Sequence, residues 1–413
     1  MLGPRENVAS GLAGAASRRP EREQVQVSKT ASSLAHDRAA FSKASVWHAR
    51  CTTRDMAQLR SSLALCFLTA SSIAVAAACS SSSASPNAAA PGDDASSAED
   101  GSNPAPPTDA STDRPVAPEG TSAGCVAPAA GYPAGTTAAT VTTAGGARTF
   151  RVHVPPSYVH GKAMPVVLML HGGGGSALQF ETQSAKMDPV ADREGFITVY
   201  PDGVGVIKTF NAGNCCGKAV ADKVDDVGFV AALLDHVEAK LCVDERRVFA
   251  SGMSNGALMS HRLACELSSR IAAIAPVAGT MPIPTCEPAR PVPVFEIHGT
   301  NDGHVPFAGG MGCGPSKGVD FTSVPVTVEG WRTRNGCEAT TLPSFTQGDG
   351  TCAAYQGCKS PVVLCTIEGG GHSWPGGDPK VAATDCPEDG FQSTTFLASE
   401  AIWKFFAANP MTK

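Results

Sequence analysis

The stretch Ser251-Gly252-Met253-Ser254-Asn255-Gly256-Ala257 constrains the fold more than any other. Residues 247–250 before it read as a short buried strand. Residues 257–264 after it carry apolar side chains at helical spacing. A strand that passes into a helix through Gly252 and Gly256 must turn sharply and set Ser254 at the apex. Such a unit needs a sheet beneath it and helices to cover that sheet. The rest of the chain supplies both. Residues 165–170, 196–200, 271–277, 292–297 and 362–367 are apolar runs of strand length. Helical patterns lie at 177–193 (broken or restarted near Pro189), at 226–241 with Asp225 or Asp226 as cap, and at 391–406. This alternation predicts an α/β fold, a mostly parallel sheet flanked by helices on both faces. Residues 136–143 and 148–154 flank Gly145-Gly146 and predict an antiparallel hairpin ahead of it. Residues 311–356, with many Gly, Thr and Cys, show no readable pattern.

The organisation before the catalytic domain follows from composition. Residues 1–55 have no period and remain unassigned; if Met56 is the true start, they precede the natural protein. Residues 56–79 read as a signal peptide, with Arg60 ahead of a mostly apolar stretch and a lipobox-like end, Ala76-Ala77-Ala78-Cys79. Ala76 stands where a lipobox usually has leucine, so cleavage behind Ala-x-Ala without lipidation is the other reading. The stretch is short for a transmembrane helix. Residues 80–121, mostly Ser, Ala, Pro and Asp, cannot bury a core and are expected to form a flexible tether. The catalytic domain is expected over 122–413. Together these features predict an exported protein, extracellular or at the cell surface, with membrane attachment through a lipidated Cys79. A net charge of −6 gives no basic surface for nucleic acid. Past Cys79 come twelve of the fifteen cysteines, enough for six disulfides in an oxidising compartment. Adjacent Cys215 and Cys216 are expected to have separate partners. No histidines sit at zinc spacing around them, so no metal site is expected.

The chemistry that Ser254 implies is nucleophilic attack, which needs a base, an acid that orients the base, and donors for an oxyanion. In hydrolases of this layout the chain order is serine, acid, histidine. Asp302 follows the 292–297 strand and His372 follows the 362–367 strand within Gly369-Gly370-Gly371-His372, which makes them the acid and the base. His298, beside a glycine at a strand end and read as structural, His304, too close to Asp302 for the expected order, and His171, after the strand of the Gly-rich loop, are rival bases; Glu296 lies inside its strand and Asp320 in the unreadable region, so neither displaces Asp302 as the acid. His171-Gly172-Gly173-Gly174-Gly175-Ser176 follows a strand and precedes a helix. Its backbone can approach a substrate closely, and the N–H of Gly173 is expected to share the oxyanion with that of Asn255. No Gly-Lys-Ser/Thr follows, which removes the phosphate-loop reading.

Over residues 148–376 the chain resembles the secreted feruloyl esterase and polyhydroxybutyrate depolymerase branch of the α/β hydrolases. The resemblance rests on His171-Gly172-Gly173, Tyr200-Pro201-Asp202-Gly203, Asn214-Cys215-Cys216-Gly217, Val224-Asp225-Asp226-Val227-Gly228-Phe229, Gly252-Met253-Ser254-Asn255-Gly256, His298-Gly299-Thr300-Asn301-Asp302 and Gly370-Gly371-His372-Ser373-Trp374-Pro375-Gly376. It implies the α/β-hydrolase fold, a Ser254–His372–Asp302 triad and no cofactor. It also implies that Trp374 lines the acyl or alcohol pocket, with packing of its own loop as the alternative, and that His171 stands on the substrate side. The implied partner is a small or oligomeric ester, including plant cell-wall polysaccharide esters. The implied activity is hydrolysis of feruloyl, acetyl or related short-chain esters. Depolymerisation of short-chain hydroxyalkanoates is the alternative, acyl transfer a further one, and a binding protein on a dead scaffold is disfavoured by the intact triad. The chain stops soon after its last helix, without the substrate-binding module of the polymer depolymerases, which favours soluble esters. Resemblance and proximity together suggest the pairs Cys265–Cys286 and Cys337–Cys358.

Overall fold

The chain divides into two units, Met1–Pro104 and Ala105–Lys413. The structure, a computed structural model, describes residues 116–127, 131–379 and 385–412, all in the second unit. The expectations for residues 1–55, for the signal at 56–79 and for the tether as far as residue 115 lie outside the described residues.

The centre of the second unit is a ten-stranded sheet in the order β1-β2-β4-β3-β5-β6-β7-β12-β11-β10. In chain order its strands are β1 (Gly135–Thr143), β2 (Gly146–Val154), β3 (Met164–Leu170), β4 (Ile197–Pro201), β5 (Val243–Met253), β6 (Ala273–Val277), β7 (Val294–Gly299), β10 (Thr341–Gln347), β11 (Gly350–Tyr355) and β12 (Val362–Ile367). The short strands β8 (Gly310–Met311) and β9 (Asp320–Phe321) pair separately. The six strands from β4 to β12 run parallel. The β1–β2 hairpin and the β11–β10 pair extend the sheet antiparallel at its two edges. The helices are α1 (Ala177–Gln179), which continues as a π-helical stretch Phe180–Ala185, α2 (Asp188–Glu194), α3 (Gly217–Ala221), α4 (Asp226–Lys240), α5 (Asn255–Glu266), α6 (Val324–Arg334) and α7 (Ala398–Ala408).

The apolar runs are continuous because both faces of the central strands are covered. Along β3, Val166, Leu168 and Leu170 belong to the core that α4, α5 and α6 cover, while Val167 and Met169 belong to the core on the other face, which α2 and α7 cover. Every residue of β3 is buried. The cap of α4 is Asp225, whose carboxylate accepts the Gly228 N–H at 2.8 Å.

Two expectations are corrected. The helix expected at 391–406 begins only at Ala398. Ser393 Oγ takes the N–H groups of Thr395 and Phe396 and donates to Asp349, so the backbone before the helix is held by side-chain bonds that compete with helical ones. The unreadable 311–356 segment holds α6 and the whole β11–β10 extension of the sheet.

The twelve cysteines form six pairs. Cys265–Cys286 and Cys337–Cys358 occur as suggested. Cys125–Cys242, Cys313–Cys386 and Cys352–Cys365 add to them. Cys215 and Cys216 pair with each other rather than with separate partners. The other ten described cysteines satisfy one another, so among the described residues no third cysteine is left for either. Cys125–Cys242 spans 117 residues of chain, a closure worth roughly 4–5 kcal/mol in chain-entropy terms.

Candidate active site

β5 ends at Met253 and α5 begins at Asn255, leaving Ser254 alone at the turn with φ 56° and ψ −121°. A non-glycine residue at positive φ costs about 1–3 kcal/mol and persists only where its surroundings enforce it. Here Ser254 N–H donates to Val277 O at 3.0 Å, and Ser254 O accepts Leu258 N–H at 2.9 Å. The flanking glycines are needed because the start of α5 is pressed onto the end of β3. A Cβ on Gly252 would lie 2.6 Å from the oxygens of Gly256 and Leu170, and a Cβ on Gly256 would lie 2.0 Å from Leu170 O. Neither obstacle is a side chain that can swing away. Gly256→Ala is therefore expected to destabilise the domain by about 3 kcal/mol, the upper end for overpacking. The midpoint of urea unfolding reads this; an unchanged midpoint would contradict the close approach.

Asp302 stands in the loop after β7, nearly fully buried. Its Oδ1 accepts the N–H groups of His304 at 2.9 Å and Val305 at 2.8 Å. Its Oδ2 accepts from His372 Nδ1 at 2.8 Å. Burial opposes its charge, but the facing imidazoles of His372 and His298 prevail and hold its carboxyl well below the usual carboxylate range. His372 comes from the loop after β12. Its backbone N–H donates to Asp389 Oδ1 at 2.8 Å, and the same oxygen takes Gly303 N–H at 3.0 Å. Asp389 thus joins the loop of the acid to the loop of the histidine. Sequence reasoning missed it, because Glu388-Asp389-Gly390 carries no signal beyond that of a turn. The rival acid Asp320 is exposed on β9. The rival base His304 lies beside His372, ring centroids 4.8 Å apart. His304, Cys313 and Cys386 gather three ligand-type atoms within 4.8 Å, but the two sulfurs are bonded to each other.

Ser254 and His372 line one open cleft of about 250 Å³, together with the 171–176 loop, Gln179, Phe180 and Met253. A Cβ on Gly172 would lie 3.4 Å from Ser254 Cβ, and one on Gly173 would lie 3.9 Å from Asn255 Cβ. Within the loop, Gly174 N–H is held by Lys208 O at 2.8 Å and Gly175 N–H by Gly172 O at 3.0 Å. His171 contributes to the cleft wall, yet both its ring nitrogens serve the backbone. Nε2 accepts Gly203 N–H at 2.9 Å, which leaves Nδ1 to donate to Gly172 O at 2.8 Å. Burial lowers its pKa and favours this neutral form. Trp374 does not line the cleft. It is buried, donates Nε1–H to Ser399 Oγ at 3.2 Å and meets the Phe180 ring edge to face at 5.3 Å. Phe180 is the aromatic residue that reaches the cleft, with Trp374 behind it.

The family model described as Esterase PHB depolymerase matches residues 149–282. Putative esterase NocK of Nocardia uniformis subsp. tsuyamanensis is 34% identical over 263 residues, which cover 59% of this chain and 75% of that protein. The chain belongs to this esterase family. Feruloyl esterase B of Piromyces equi is also 34% identical, over 234 residues covering 54% of this chain, though the chain spans 42% of that protein's length. Among solved structures, Acetyl xylan esterase from Aspergillus awamori aligns over 57% of this chain and 94% of its own, at 15% identity and a TM-score of 0.42. By the family model and the sequence relatives, the chain falls in the feruloyl esterase and PHB depolymerase-like branch of the α/β hydrolases, a family of carboxylic-ester hydrolases. None of the described helices is long and apolar enough to cross a membrane.

Proposed function

We propose that the protein is an exported serine esterase that hydrolyses feruloyl, acetyl or related short-chain esters through Ser254, His372 and Asp302. The observation that carries this reading is the 2.8 Å His372–Asp302 pair at the cleft that holds Ser254 on its strained turn. Ser254 Oγ attacks the ester carbonyl carbon while His372 Nε2 takes its proton. Asp302 keeps the other imidazole proton on Nδ1 and stabilises the imidazolium. The oxyanion is held by the N–H groups of Gly173 and Asn255; the latter opens α5 and has no partner within the helix. His372 then protonates the leaving alcohol, and a water activated by the same imidazole releases the acid. His171 serves by holding the oxyanion loop, and Trp374 by backing Phe180 against the acyl or alcohol group.

Export is supported by the five disulfides between cysteines distant in sequence. A lipidated Cys79 then tethers the enzyme at the cell surface. With its signal, the wild type should enter the detergent phase on phase separation and Cys79→Ser should leave it; a wild type found only in the aqueous phase would favour plain secretion.

Substrate class is tested with methyl ferulate, acetylated xylan, p-nitrophenyl butyrate and hydroxybutyrate oligomers, each with and without an alcohol acceptor. Preference for the first two supports the proposal. Preference for the oligomers would support the depolymerase reading, which the description of the matching family model favours. Transfer to the acceptor in place of free acid would make the enzyme an acyltransferase.

A further inference from the structure

A second chain of buried polar groups, which the triad does not use, reaches the same Asp302 oxygen that faces His372. His298 and Glu296 both come from β7, and all of their side-chain surface is withdrawn from solvent. His298 Nε2 lies 2.9 Å from Val305 O and 3.4 Å from Asp302 Oδ2. Its Nδ1 lies 3.4 Å from Glu296 Oε1. The other Glu296 oxygen, Oε2, lies 3.2 Å from His261 Nε2 on α5, a contact between charged or polar groups rather than an aligned hydrogen bond. Trp331 Nε1–H on α6 donates to His261 Nδ1 at 3.1 Å. Indole can only donate, so His261 Nδ1 is unprotonated and its proton sits on Nε2, toward Glu296. Three elements, β7, α5 and α6, thus form one chain that reaches the Asp302 carboxylate through His298.

The protonation of His298 follows from its partners. Its ring nitrogens face a carbonyl and two carboxylates, all acceptors, so each nitrogen has a proton to donate. A buried carboxylate pair such as Asp302 and Glu296 also needs a counter-charge between its members. Burial works against the imidazolium, but the hydrogen bonds and charges of Asp302 and Glu296 prevail and push His298 up to about 10.

We propose that His298 is a positioning residue, held as an imidazolium between Asp302 and Glu296, and that Glu296, braced by His261 and Trp331, fixes the charge and aim of the catalytic carboxylate through it. This rests on the triad assigned above. Two consequences have opposite signs. Without the His298 charge, Asp302 and Glu296 repel each other, so a proton is retained at Asp302 more readily and the imidazolium at His372 is favoured. Both effects move the acid limb of kcat/KM to higher pH. Without the Glu296 charge, His298 is uncompensated beside Asp302, and the limb moves to lower pH. The other groups around the base, Asp389 at its backbone N–H and His304 beside its ring, stay constant in this comparison.

The test is the pH dependence of kcat/KM on p-nitrophenyl butyrate for the wild type, His298→Gln, Glu296→Gln and the double variant. His298→Gln should shift the limb up by about two pH units, the size expected for one charge about 6 Å away at an effective dielectric near 20. Glu296→Gln should shift it down by less, and the double variant should return most of the way to the wild type. A role in packing alone would lower kcat in all three without opposed shifts; that result, or shifts of one sign, would overturn the proposal. The wild type provides a reading that needs no substitution. The ¹⁵N shifts of His298 should show both ring nitrogens protonated throughout the pH range of activity, and a neutral ring there would overturn the proposal even if the variants failed to fold. Ser254→Ala separates the two levels. If it stayed active, the triad and this inference would fall together; if it is inactive, a failed cycle counts against His298 alone.

Discussion

Alanine in place of Ser254 is expected to lower kcat on p-nitrophenyl butyrate by about a millionfold, the loss seen when a triad nucleophile is removed. At 1.36 kcal/mol per tenfold this is about 8 kcal/mol of transition-state stabilisation. The residual rate would come from the oxyanion donors and from binding. Labelling by a fluorophosphonate should vanish with it. The fold should survive, because alanine meets the same positive φ as serine and leaves no cavity. Labelling of the folded variant at wild-type level would move the nucleophile to another residue.

The second large effect belongs to Asp302. Asp302→Asn should cut kcat about ten-thousandfold with little change in KM, because the amide favours the wrong tautomer of His372. Its remaining oxygen can still accept the N–H groups of His304 and Val305, so the loop should hold. Circular dichroism and the urea midpoint of the variant check that. Near-normal turnover in a folded Asp302→Asn enzyme would mean that another carboxylate completes the triad. Asp320 was the first rival on sequence grounds, but its exposed place on β9 makes it a poor one.

The parts legible in the sequence were those where local pattern and global fold agree. The buried parallel strands read as apolar runs because both faces are covered, and β12 matches its expected bounds of 362–367. Gly252 and Gly256 announced the turn because no other residue fits against the end of β3. Asp302 and His372 stood out because each follows a readable strand, and the structure pairs them at 2.8 Å. Failures came where long-range contacts decide the outcome. Strand β10 is mostly exposed along its length and offers no apolar alternation. The first turn expected of the last helix is diverted by Ser393 and Asp349, which are far apart in sequence. Trp374 shares a motif with His372, yet Ser399 and Phe180 draw its ring into the core. Asp389 and the Glu296–His261–Trp331 chain depend on loops and helices meeting in space, and no spacing in the chain encodes that meeting. His298 shows the limit well. It was visible as a histidine near Asp302, but its contact with that carboxylate follows only from the path of the chain after β7.

The most direct measurement of the central claim is peptide mapping by mass spectrometry after rapid acid quench of the enzyme with p-nitrophenyl butyrate. The account predicts one butyryl group per chain, carried on the peptide that contains Ser254 and absent from Ser254→Ala. A butyryl group on any other residue, or steady turnover by an enzyme that never acquires one, would contradict it.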